Sequence, residues 1–295
     1  MHVNKLSWLI ALCILNACVS QQQRPESVQL ALSIDKVISE LDSNLPGTYN
    51  NYAQRRRDQT TPNLRLHIVA AVDQDARYLV QQINIDNDNA ATKQFIWQFN
   101  RTPNNALILD FAPIINDQLQ NSCQVELLPQ PEGINGHSIP QTCLLPNASG
   151  QTIGLMKEFL LADGRIQLGE RLQDINTGTS LINDQKLDFR REVAYTGWAG
   201  TKPSENTEWI LAVPFEIHNQ GDVHTLTNSA DQDMGYRIEL AQIRYREDQP
   251  EVLRIAVIDN KTNKQVAYSW ASLDADQIGL NLDWLQVGLT RNPSL

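Results

Sequence analysis

From Leu64 onward the apolar residues of this chain recur at every second position, and that spacing limits the fold more than anything else in the sequence. A period of two places alternate side chains on opposite faces of a strand. "LRLHIV" sets Leu64, Leu66 and Ile68 against Arg65 and His67. "RYLVQQINI" puts Tyr78, Val80, Gln82 and Asn84 on one face, with Leu79, Ile83 and Ile85 on the other. "KQFIWQF" lines up Phe95, Trp97 and Phe99, and "ALILDF" and "CQVELL" follow. "LMKEFLLADGRIQLGERL" reads as a hairpin around Asp163-Gly164, a dipeptide suited to tight two-residue turns. Many short strands separated by turn signals predict an antiparallel barrel or sandwich. Upstream, Val28, Leu30, Ile34, Val37, Ile38 and Leu41 keep mostly helical spacing, which predicts a short N-terminal helix over 27–44 that Pro46 and Gly47 bring to an end.

A second strand-rich region is expected after residue 197. "GYRIELAQIRYR" changes phase between Leu240 and Ile243, as a β-bulge would make it do. "EVLRIAVID", "NKTN" and "KQVAYSW" form a hairpin, with Leu253, Ile255 and Val257 expected to face Val266, Tyr268 and Trp270. The chain thus divides into a signal peptide (1–17), a tether (18–26), a barrel domain (27–197) and a β-rich extension (198–295).

The first residues read as an export signal. "MHVNK" carries a lysine, "LSWLIALCIL" is an apolar run too short to span a bilayer as a mature helix, and "LNAC" ends at Cys18. A cysteine after a small residue, with leucine three places upstream, resembles a bacterial lipobox. Cys18 would then be the acylated first residue of a lipoprotein. The alternative is an ordinary secretory cut near Ala17. Several acyl chains on one residue hold a protein to a membrane where a single chain does not. Val19 in place of aspartate points to the outer membrane, facing the periplasm.

Removing Lys5 with the signal leaves 23 basic side chains against 34 acidic. A surface that acidic argues against nucleic acid and against electrostatic adhesion to anionic lipid. Cys123 and Cys143 remain as a pair in an exported domain. A disulfide is the favoured reading, two buried thiols the alternative.

Catalytic signatures are scarce. There is no G-x-S-x-G elbow, phosphate loop, dinucleotide fingerprint or Cys-x-x-Cys, so the catalytic residues are unknown and any enzyme activity is uncertain. His218, Asp222 and His224 offer a metal scaffold, but a polar turn between strands explains them more simply, and no metal site is assigned. Arg55, Arg56 and Arg57 read as a solvated edge. What remains is the mixed face of Tyr78, Gln82 and Asn84. In a closed barrel one face of each strand points inward, so this row lines either a hydrogen-bonding cavity or the outside. Periodicity does not separate the two.

"LPGTYNNYAQ", "LHIVAAV", "YLVQQ" and two cysteines twenty residues apart together resemble the CpeT/CpcT family of phycobiliprotein chromophore lyases over about residues 44–195. Gly47, Tyr49, Asn51 and Gln54 fall on that family's opening motif, and Tyr78 with Gln82 on its next strand. The resemblance implies a calyx-like, lipocalin-like antiparallel barrel that holds an open-chain tetrapyrrole, a bilin. It implies that the amide-rich stretch is the first strand. Tyr49, Asn51, Gln54, Tyr78 and Gln82 become the ligand-binding set. The chain departs from the pattern where Lys93 is the one base in "TKQFIW", where Ser122 precedes the first cysteine, in its export, and in its extra C-terminal residues. The fold therefore transfers more readily than the activity. Three functions follow: a membrane-anchored barrel binding an amphipathic small molecule such as a bilin, with no cofactor certain; a chromophore lyase; or an envelope lipoprotein that meets a protein partner.

The anchor is directly testable. Protein extracted from the membrane should give an intact mass of a chain beginning at Cys18 plus a diacylglycerol-type adduct. A soluble periplasmic chain cut elsewhere contradicts it.

Overall fold

The protein is seen as a computed structural model that describes residues 26–293, apart from 73–75, 87–91, 131, 146–151, 182–184, 203, 205–206 and 247. The signal, Cys18 and most of the tether lie outside the described residues. None of the described helices is long and apolar enough to cross a membrane.

Helix α1 (Glu26–Asn44) leads into ten barrel strands: β1 (Gly47–Asn50), β2 (Leu64–Ala70), β3 (Arg77–Asn84), β4 (Lys93–Arg101), β5 (Leu107–Ile115), β6 (Cys123–Gln130), β7 (Gly133–Ser138), β8 (Ile153–Ala162), β9 (Arg165–Asp174) and β10 (Gln185–Arg191). Each pairs antiparallel with the next, and β10 pairs back onto β1, so the ring closes. Closure leaves no ladder edge around the ring. The Asp163-Gly164 hairpin forms as expected, with Ala162 opposite Arg165 and Gly164 at φ +62°.

The alternation read from the sequence resolves into inside and outside. Tyr78 and Val80 are buried on one face of β3, and Trp97 and Phe99 on one face of β4. Their partners inside the ring include Leu66, Leu109, Phe159 and Phe189. Trp97 meets Phe159 edge-on at 5.6 Å, and Tyr78 meets Phe99 at 5.7 Å. Helix α1 closes one end of the ring by burying Ile34 and Leu41 against this cluster.

The opening motif is folded differently from the expectation. Only Gly47–Asn50 is strand. Tyr52–Arg57 turns into a short helix, α2. The cause is Asn51, whose side chain occupies the ladder positions that a longer strand would use. Its Nδ2 donates to Pro62 O at 2.8 Å, and its Oδ1 accepts from Leu64 N at 2.8 Å. An amide bonded to its own neighbourhood competes with strand extension in this way.

The change of sheet falls between Arg191 and Ala194. Beyond it lie β11 (Ala194–Thr201), β12 (Phe215–His218), β13 (Gln220–Thr227), β14 (Asp233–Ile243), β15 (Val252–Asp259), β16 (Lys264–Ala271), β17 (Gln277–Asn281) and β18 (Leu285–Arg291). One sheet runs β17-β18-β11, with β12 and Ile210–Leu211 both on β11. The other runs β13-β14-β15-β16. Between them Leu240, Leu253, Ile255 and Val287 form an apolar cluster of their own.

Two details of this region differ from the sequence reading. The bulge lies in β13 rather than in β14. Gln220 pairs Ala241 and Asp222 pairs Leu240, which leaves Gly221 extra at φ +75°. That inserted residue lets both Leu240 and Ala241 be buried. In the β15–β16 hairpin, Leu253, Ile255 and Val257 lie opposite Ala271, Ser269 and Ala267. Val266, Tyr268 and Trp270 are on the other face and exposed. A register shift between Val257 and Ile258 separates the two phases.

The two parts meet through α2. Tyr52 OH donates to Glu239 Oε1 at 2.7 Å, and Glu239 also pairs with Arg254. A Cβ on Gly221 would lie 2.1 Å from the Tyr52 ring, so glycine is required there for space as well as for φ. Asn50 and Arg65 both donate to Glu192 Oε1, at 2.9 and 2.8 Å.

Cys123, at the start of β6, and Cys143 are joined as a disulfide, with Cα atoms 4.6 Å apart and a separation of 20 residues. A loop of that length contributes about 3 kcal/mol by restricting the unfolded chain. Replacing both cysteines by serine should lower the unfolding free energy by about that amount, measured by urea denaturation. Thiol counting on the denatured, unreduced Cys18→Ser protein should find none free.

Candidate functional site at the helix-capped end

Where α1 crosses the end of the ring it leaves a cavity of about 350 Å³. Its apolar wall comes from Val37, Leu41 and Leu45 on one side and from Ile134, Leu161 and Ile166 on the other. Glu40, Asn44, Gln130, Glu132, Asp163 and Arg165 supply the polar groups, and Tyr49 stands at the junction of helix and first strand. An apolar pocket of a few hundred Å³ with a small number of placed polar groups is the usual form of a small-molecule site.

The cap is tied down by side chains. Tyr49 OH donates to Leu45 O at 3.0 Å and accepts from Arg191 Nη2 at 2.6 Å. Arg191 also donates to Pro46 O at 2.8 Å and to Asn44 O, which holds the last turn of α1. Tyr78 OH donates to Asp42, and Arg101 pairs with Asp35 at 2.9 Å. Burial raises the Tyr49 hydroxyl above its ordinary pKa, with Arg191 opposing that effect. Burial, followed by the Asp42 carboxylate, raises that of Tyr78. Arg165, on the pocket rim, holds Asp188 through two bonds of 2.7 and 3.0 Å.

The five residues singled out in the sequence do not converge on one site. Tyr49 lines this cavity. Tyr78 lies inside the same end of the barrel, where its hydroxyl anchors α1. Asn51 is fully buried and bonded to backbone. Gln54 sits on α2, not on a barrel wall, and braces β10: its Nε2 donates to Lys186 O at 2.7 Å and its Oε1 accepts from Asp188 N at 2.9 Å. Gln82 is on the inward face of β3, two inward positions along from Tyr78, opposite Lys93 and Leu66, and it does not line the cavity. Cavity residues that the sequence reading passed over include Leu41, Asp163 and Arg165. The helical period and the Asp163-Gly164 turn were legible, but not that the two would meet.

Elsewhere, His218 lies 3.7 Å from Glu192 and 3.8 Å from Asp222. His224 stacks on Phe215 at 4.4 Å. The two histidines thus serve different neighbours, and no group of three or more His, Cys, Asp or Glu placed to hold a metal occurs among the described residues.

No family model matches the chain, and no curated protein does. Among solved structures, a T-type phycobiliprotein lyase CpeT from Prochlorococcus phage P-HM1 is similar at 12% identity, over 52% of this chain and 96% of that one, with a TM-score of 0.38.

Tyr78→Phe should lower stability by about 1 kcal/mol, the net value of one hydrogen bond, and should expose α1 to limited proteolysis. Because the folded-state pKa of Tyr78 is raised, its contribution is present below the ordinary phenol range and fades as pH rises through the folded value. The difference between wild type and variant should therefore narrow in strong alkali.

Proposed function

We propose that this chain binds an amphipathic small molecule at the helix-capped end of its barrel, and that a lipid on Cys18 holds it to the periplasmic face of the outer membrane. The observation that carries the binding reading is the cavity of about 350 Å³ between α1 and the rim, apolar on two sides and polar at its edge. Glu40 and Asp163 favour hydrogen-bond donors on the ligand, and Arg165 an acceptor. An open-chain tetrapyrrole is the ligand implied by the sequence resemblance. A bilin would require α1 to lift, because a cavity this size lies low in the range for drug-sized ligands. Lifting α1 would break its side-chain bonds to Tyr78, Arg101 and Arg191 and expose Ile34 and Leu41, so the ligand's apolar surface has to replace theirs. The reading stops at binding. Attachment of a chromophore to a protein cysteine is implied by the resemblance alone, and no catalytic residue is assigned.

A second reading, contact with an envelope protein, is supported by one observation. Val266, Tyr268 and Trp270 form an exposed row on the last strand of the second sheet, with Trp270 63% exposed. Exposed aromatic rows are common in interaction surfaces.

The binding reading is tested by titrating biliverdin, haem and 8-anilinonaphthalene-1-sulfonate into the protein, followed by absorbance and fluorescence. At least one probe should bind. Val37→Trp, which fills the cavity from the helix side, should weaken it by about tenfold or more without lowering the melting temperature. A wild-type protein that binds none of the three, or a variant that binds as well, overturns the proposal.

A further inference from the structure

The end of the barrel away from α1 carries a charge arrangement that the capped cavity does not use. Lys157 is on the inward face of β8, in line with Phe159 and Leu161, and only 4% of its side chain is exposed. Its Nζ lies 3.9 Å above the Phe111 ring. Its carboxylate partner among the described residues is Glu170, directly across on β9, which is 56% exposed. Lys93 sits on the inward face of β4, which also carries Phe95 and Trp97. Trp97 is 1% exposed, and its Nε1 has no hydrogen-bond partner. The inward surface at this end therefore offers two ammonium groups, Lys93 and Lys157, against the Glu170 carboxylate. Phe95, Leu168 and Leu187 are half-buried apolar side chains packed on the same core.

The Lys157–Glu170 pair is asymmetric. An ammonium this buried cannot be left without a counter-ion, because an uncompensated buried charge is strongly destabilising. The carboxylate end is in solvent, where an ion pair contributes little. Glu170 can leave at small cost, provided another anion replaces it. A carboxylate entering with an apolar tail would cover Phe95, Leu168 and Leu187 and supply the counter-charge that Lys157 needs once Glu170 leaves.

The geometry points to a second binding site, at the end opposite α1, in which Lys157 receives the carboxylate of a monocarboxylic acid with an apolar tail and Glu170 is the counter-ion that the ligand replaces. This goes beyond the capped cavity and stands without it. Burial lowers the Lys157 pKa, with Glu170 opposing that shift, which is the direction expected of an amine that depends on its counter-ion.

Thermal melts of the Glu170→Gln protein, with octanoate and with octanol as probes, test the site. Removing Glu170 leaves Lys157 unpaired, so the variant should melt below wild type. Octanoate should restore the lost stability, and octanol, which has the tail without the charge, should not. By calorimetry octanoate should bind the variant about tenfold more tightly than it binds wild type, since it no longer competes with a charged group. Adding Lys157→Met should abolish the octanoate effect. Should Glu170→Gln fail to fold, the same octanoate–octanol difference in wild type, and its loss in Lys157→Met alone, decides the question. Equal effects of acid and alcohol, no effect of octanoate, or octanoate stabilisation that survives Lys157→Met overturns the site. Val37→Trp should leave the octanoate response unchanged, which separates failure here from failure of the capped cavity.

Discussion

Everything in the barrel depends on a short seam. β1 has four residues, and only Tyr49 and Asn50 pair with β10, opposite Arg191 and Arg190. Two ladder positions are a weak closure by themselves, because the ends of a long chain must be brought together to form them. Side chains reinforce the seam from both sides. Arg191 reaches across it to Pro46, Asn44 and Tyr49. Gln54 returns from α2 to bond the backbone of Lys186 and Asp188. Gly47 is needed here for its φ of +149°, which L side chains rarely adopt. Of the motif's amides, Gln54 thus braces this closure, and Asn51 is bonded to the backbone of Pro62 and Leu64.

The seam also links the barrel to what lies beyond it. Arg190, on the last barrel strand, pairs with Glu251, and Tyr52 pairs with Glu239. Burial, with the Glu239 carboxylate as the next contribution, pushes the Tyr52 hydroxyl up to about 12. These are polar contacts between two separate apolar clusters, so the junction relies on matched hydrogen bonds more than on a shared core.

Inside the ring the two ends are chemically unlike. The end under α1 is closed by tyrosine hydroxyls that donate to helix carbonyls and to Asp42. The other end holds Lys93, Lys157 and Glu170 among half-buried apolar side chains. The sequence carried a sign of this in "LMKEFLL", where a lysine takes the inward position between Leu155 and Phe159. An interruption of that kind in a buried row marks a polar group that the fold has to accommodate.

Alternation from Leu64 onward, the Asp163-Gly164 hairpin and the helical spacing before Asn44 were enough to predict an antiparallel barrel or sandwich with a helix before it and more strands after it, and the family resemblance favoured the barrel. Those features are local, and local spacing decides which face of a strand or helix is apolar. The sequence did not show where strand gives way to helix at Asn51, or that the β13 bulge falls at Gly221. It did not show that Tyr268 and Trp270 face outward, or that Gln54 would leave the barrel wall for α2. Each of these depends on register between segments far apart in the chain. A shift of one residue exchanges the two faces, and only the closed ring and its packed interior select among the registers that the pattern allows.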